Sequence, residues 1–112
     1  MAVSDEAKVF ACDLFSGLGV VTVRAMFGGA GIYHDGVMFG LIAGDDAIYL
    51  KAEGTMAKAM SQDGSEPFLY HRDGKVRKMS YWSLPEAAWE DPDLALIWAR
   101  RAWEIARLCA DD

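Results

Sequence analysis

Chemically reactive residues are scarce in this chain. Its 112 residues include two cysteines, Cys12 and Cys109, two histidines, His34 and His71, and three prolines. The cysteines stand near opposite ends with no metal-type spacing, which excludes a zinc knuckle or a disulfide scaffold. No apolar run approaches the roughly 20 residues of a membrane-spanning helix. No basic segment followed by an apolar stretch marks a secretory leader, so the expectation is a cytoplasmic protein with reduced thiols and no membrane contact. Positive charge is also in short supply. Eleven Lys and Arg against seventeen Asp and Glu give a net charge of −6 and a pI near 4.8. Such a balance repels DNA and anionic lipid in bulk.

Apolar and aromatic residues, by contrast, are plentiful. Hydrophobic residues make up 53%, with four Trp, four Tyr and five Phe, enough for the core of one domain spanning 1–112. Disorder is therefore excluded. Ser4 is a good N-cap with Asp5 and Glu6 in the first turn, and apolar spacing predicts a helix over about 4–17. From Val20 the period changes to two, predicting strands. Asp35-Gly36 and Asp73-Gly74 are hairpin dipeptides, because type I′ turns require positive φ at both central residues. Strands are expected over 37–42, 47–51, 67–70 and 76–82, and a short helix from Gly54 to about Asp63.

Ser83-Leu84-Pro85-Glu86 has the form of a capping box opening a short helix to about Trp89. Asp91-Pro92-Asp93 opens the last helix, since Pro is pre-set for the first helical position. Leu94, Trp98, Ala102, Ile105 and Cys109 would form its core face. The order α-β-β-β-(β)-α-β-β-α implies an α+β two-layer domain, an antiparallel sheet with helices.

Candidates for chemistry fall away one by one. His34 and His71 sit at turns with no nucleophile or orienting acid aimed at a common point, and read as solvent-exposed turn histidines. Asp45-Asp46 and Asp111-Asp112 lack the further oxygen ligands of a cation site. Gly28, Gly29 and Gly31 lie between two strands rather than before a helix, so no phosphate loop is formed. The expectation is a non-enzyme with no catalytic residue, metal or cofactor.

Two features suggest contacts instead. Five glycines alternate with bulky apolar residues between Arg24 and Gly40, and glycine within strands marks bulges or close backbone approach. Arg24 among Val, Met and Phe needs a partner or a function. On the last helix, Arg100, Trp103 and Arg107 share a face, a composition enriched at interface hot spots. Trp103 packed beneath a neighbouring loop is the competing reading. Separately, Arg72, Lys75, Arg77 and Lys78 surround the second hairpin with Tyr70, Tyr81 and Trp82 nearby, a mixture that suits single-stranded nucleic acid.

The segments Arg24–Tyr33 (RAMFGGAGIY), Gly36–Ile42 (GVMFGLI), Ile48–Lys51 (IYLK), Pro67–Tyr70 (PFLY) and Met79–Pro85 (MSYWSLP), with Trp98-Ala99, resemble the TfoX N-terminal domain family in order and over nearly the whole chain. The resemblance implies an α+β fold similar to secretion-chaperone domains. It also implies kinship with TfoX/Sxy regulators of natural competence, which act with the cyclic-AMP receptor protein and usually carry a second, C-terminal domain. With its last residue at Asp112, the chain resembles a stand-alone N-terminal domain. No catalytic residue comes with the family.

The leading expectation is thus a protein-interaction module accessory to transcriptional regulation. Its contacts would use Arg24, Met26, Phe27, Gly28 and Gly29 together with Arg100, Trp103 and Arg107. Its partner would be another protein or a second copy. The alternative is a nucleic-acid-binding regulator using Arg72, Lys75, Arg77 and Lys78.

Overall fold

In the computed structural model the chain forms one six-stranded antiparallel sheet with all three α-helices on a single face. Residues 3–26 and 28–110 are described, and the side chains of Tyr70, His71, Arg72, Arg77, Lys78 and Ala110 lie outside the description. The elements are α1 (Asp5–Leu14), β1 (Val21–Met26), β2 (Gly29–His34), β3 (Val37–Ile42), β4 (Ile48–Lys51), α2 (Gly54–Gln62), β5 (Pro67–Arg72), β6 (Lys75–Ser83) and α3 (Pro92–Ala110). Two short 3-10 helices, Ser16–Leu18 and Glu86–Ala88, complete the chain path. The expected α+β order holds, with four strands before α2.

Local chemistry accounts for most boundaries. Ser4 caps α1 by accepting a hydrogen bond from the Ala7 amide at 3.1 Å. Asp46 in turn accepts from both the Ser4 hydroxyl and the Ser4 amide, tying the start of α1 to the β3–β4 turn. That helix stops at Leu14, short of the expected 17, and the chain tightens into the 3-10 turn. Gly17 lies there against Leu96 of α3, where a Cβ would meet the Leu96 side chain at 2.8 Å. Both hairpin turns have positive φ at Asp35-Gly36 and Asp73-Gly74, as type I′ geometry demands.

One expected cap is not used. Ser83 belongs to β6, and its hydroxyl accepts from the Glu66 amide at 2.9 Å, joining the start of β5 to the end of β6. The 3-10 helix that follows has no side-chain cap. Asp91, by contrast, accepts from the Asp93 and Leu94 amides and starts α3 as read.

Strand order is β1-β2-β3-β4-β6-β5, with β1 and β5 at the edges. The core lies between the sheet and α3. Phe39, Ile32, Ile42, Ile48 and Leu50 come from the strands, and Phe15, Met56 and Met60 close its ends. Phe15 meets Phe39 edge-on at 5.7 Å. The helix contributes Trp98 and a seam of small residues, Ala95, Ala99, Ala102 and Ala106, all buried. The expected face holds in part: Trp98 and Ala102 are buried and Leu94 and Ile105 are half-buried against the core, whereas Cys109 is exposed. Alanine is weakly apolar, yet its small size lets the helix backbone approach β3 and β4 while the strands supply the bulk.

Candidate functional site

Period two along the strands gives the sheet a second, helix-free face. Val21, Val23, Ile32, Ile42, Ile48 and Leu50 point to the core. The intervening residues point away, and register aligns them: Arg24 with Gly31, Met26 with Gly29, Leu41 with Tyr49, Lys51 with Tyr81. In most antiparallel two-layer domains such a face is polar. Here it is rich in methionine and aromatic rings.

A groove of about 350 Å³ runs through this face, lined by Met26, Gly28, Gly29, Met38, Leu41, Phe68, Met79 and Tyr81. Its walls come from β1 and from β5–β6, which in a flat sheet would stand roughly 19 Å or more apart at ~4.8 Å per strand. The sheet is therefore strongly curled, and the register break at Ile32/Tyr33 lies in the curl, as β-bulges increase local twist. Glycines make the bend sterically feasible. A Cβ on Gly29 would stand 2.5 Å from the Ile42 carbonyl oxygen, and one on Gly40 2.9 Å from that of Tyr49. Gly31 leaves space for the Met26 and Met38 sulfurs, which lie 3.3 and 3.2 Å from where its Cβ would be.

Tyr81 forms the buried floor, and burial raises its hydroxyl pKa above the ordinary value, with the neighbouring Tyr33 and Cys109 adding to the effect. Tyr49 meets Phe68 edge-on at 5.0 Å. The Lys51 ammonium stands 5.5 Å from the Tyr81 ring centroid and 3.2 Å from Glu53. Arg24 stands at the rim. It is exposed, with its guanidinium 5.2 Å from the Tyr33 ring centroid, so its place in an apolar strand carries no buried charge. Among the described residues no three potential metal ligands gather. The groove offers thioethers, rings and glycine backbone, a surface that can seat apolar side chains and adapt to their shape.

The sequence-predicted contact residues divide between two faces. Met26, Gly28 and Gly29 line the groove and Arg24 flanks it, while Phe27 lies outside the described residues. Arg100, Trp103 and Arg107 lie on α3, across the sheet. Trp103 is half-buried; its indole N–H donates to the His34 carbonyl at 2.9 Å and its ring meets the His34 imidazole edge-on. It pins α3 to the β2–β3 turn, as the packed reading had it. Arg107 lies over the Trp103 ring and pairs with Glu104 at 2.9 Å. Arg100 lines a separate groove between α3 and the start of α2.

His34 is not a solvent-exposed turn residue. Its side chain is 15% exposed, with Nδ1 2.9 Å from the Val20 carbonyl. That oxygen can only accept, so Nδ1 carries the proton. On the alternative hairpin Lys75 is exposed, and the side chains of His71, Arg72, Arg77 and Lys78 lie outside the described residues.

Sequence reasoning missed Met38, Leu41, Phe68, Met79 and Tyr81 as members of one site. Period two placed each on a strand, but which strands the curl would bring together was not written locally.

Helices on one face of a curled antiparallel sheet and an apolar groove on the other define an α+β domain. The chain belongs to the TfoX N-terminal domain family, whose model matches residues 13–106, a span that contains the whole groove. It is similar to the DNA transformation protein TfoX1 of Aliivibrio fischeri (strain ATCC 700601 / ES114), at 28% identity over 91 residues. The match covers 81% of this chain and 43% of that protein, so the chain spans less than half the length of this relative.

Proposed function

We propose that this domain is a non-enzymatic, cytoplasmic protein-interaction module that takes part in DNA transformation, accessory to the regulation of competence genes. The observation that carries the reading is the groove lined by Met26, Met38, Leu41, Phe68, Met79 and Tyr81 on a sheet face that, among the described residues, no helix covers. Methionine and aromatic side chains are enriched in the cores of protein interfaces. Family membership and the relative named for DNA transformation support the biological setting. The partner is a protein that inserts a small apolar cluster, with an acidic residue meeting the exposed Arg24 at the rim.

The test is complementation of a source bacterium lacking the gene, scored by transformation frequency. Met38→Glu and Met79→Glu should each lower the frequency at least tenfold while thermal unfolding shows a folded domain, and Met38→Leu should complement. Full complementation by both Glu variants would overturn the groove reading. Titration of labelled DNA against purified protein covers the nucleic-acid alternative. Saturable binding that weakens log-linearly with salt and disappears in Arg77→Glu/Lys78→Glu would favour that hairpin over the groove.

A further inference from the structure

The two edges of the sheet are built differently. β5 begins at Pro67 and its pairing is irregular between Pro67 and Leu69, two devices that blunt an edge against strand addition. β1, with the sequence Val-Thr-Val-Arg-Ala-Met, has neither proline nor bulge, and its register with β2 runs unbroken from Val21 to Met26. Among the described residues its outer backbone groups face no other strand. Val20 just before it is 78% exposed and Met26 at its end 45% exposed. Such an edge is a template for another strand.

We propose that β1 pairs antiparallel with β1 of a second copy, about a two-fold axis at Val23, joining the two sheets into one. Side-chain chemistry selects this register. Centred on Val23, it sets Val23 against Val23, Val21 against Ala25 and Thr22 against Arg24 of the other copy. It also sets Val20 against Met26, so two exposed apolar side chains cover each other twice. Centring on Arg24 would place like charges directly opposite, which is destabilising. Centring on Thr22 would set Val20 against a guanidinium and leave Met26 uncovered. A slip of one residue sets Arg24 against Val23 and turns the partner over, so its helices lie on the other face. The pairing engages Met26 and Arg24 at the β1 end of the groove and leaves Met38, Leu41, Phe68, Met79 and Tyr81 free, and it does not rest on the proposed function.

Sedimentation equilibrium over a concentration series should show a monomer–dimer equilibrium. Thr22 is exposed on the helix-free face, so its substitutions leave the fold intact. Thr22→Glu would add two cross-copy ion pairs with Arg24 and tighten the dimer about fivefold; Thr22→Arg would weaken it by a similar factor. Single-cysteine variants in a Cys12→Ser/Cys109→Ser background then read the register. Val23→Cys should cross-link to itself on mild oxidation, whereas Thr22→Cys and Arg24→Cys should cross-link only when mixed with each other. A monomer at every concentration overturns the proposal. So does self-cross-linking of Arg24→Cys, or a shift of the same sign for both Thr22 variants.

Discussion

At the scale of single residues, the glycines do different things, and their substitutions separate the roles. Gly29 abuts backbone, since its Cβ would stand 2.5 Å from the Ile42 carbonyl oxygen. Relief requires moving β2 from β3, so Gly29→Ala should cost about 1–3 kcal/mol in chemical denaturation. Gly31 abuts the Met26 and Met38 sulfurs and the Tyr33 ring edge. Those side chains can shift, so Gly31→Ala should cost less and disturb the groove first. An equal loss at the two sites would contradict the distinction. Trp103→Phe keeps a ring against His34 but removes the 2.9 Å hydrogen bond to the His34 carbonyl. The expected loss is about 1 kcal/mol, and a neutral result would free Trp103 for the contact role its arginine neighbours suggested.

Elements were legible wherever a short-range rule acts alone. Both Asp-Gly hairpins, the Ser4 cap and the Asp91-Pro92 start of α3 fall where the sequence placed them, because each depends on residues within four positions. Asp91→Ala should therefore cost about 1 kcal/mol, measured by thermal unfolding, as it removes the acceptor for the Asp93 and Leu94 amides. Ser83→Ala tests the contrary case. Its hydroxyl serves Glu66 across the β5–β6 pair, so its loss should raise amide exchange at Glu66 rather than fray the 3-10 helix. The capping-box reading failed there because a strand partner seventeen residues away claimed the same oxygen. The face of α3 was legible in part: Trp98 and Ala102 are core and Leu94 and Ile105 pack against it, but the Ala95, Ala99 and Ala106 seam was missed and Cys109 is exposed. That seam is alanine, and no hydrophobicity pattern reveals that the opposing strands supply the bulk.

At the scale of the molecule, curl and groove depend on non-local register, which period two cannot convey. Tyr81 shows the consequence. It lies mid-strand on a face that would be solvent-exposed in a flat sheet, yet only 9% of it is accessible. Burial, reinforced by Tyr33 and Cys109, raises its pKa above the ordinary 10.0. Tyr49 is raised for the same first cause, burial, with Asp45 and Glu66 contributing, and Cys12 is raised above 9.0 by burial and then Asp13. Each of these acids keeps its proton to higher pH when folded than when unfolded. The stability they contribute is complete below the unfolded values and is lost as pH rises through the folded ones. Stability should thus hold to about pH 9 and decline above it, Cys12 acting first and the tyrosines from about pH 10. Tyr81→Phe keeps the ring and removes the ionisation, so its alkaline decline should be shallower than that of the parent chain. Denaturant titrations of both proteins on either side of pH 10 measure the difference directly. Parallel curves would mean that Tyr81 ionises as freely in the folded chain as in the unfolded one, and that the concave face stays open to water.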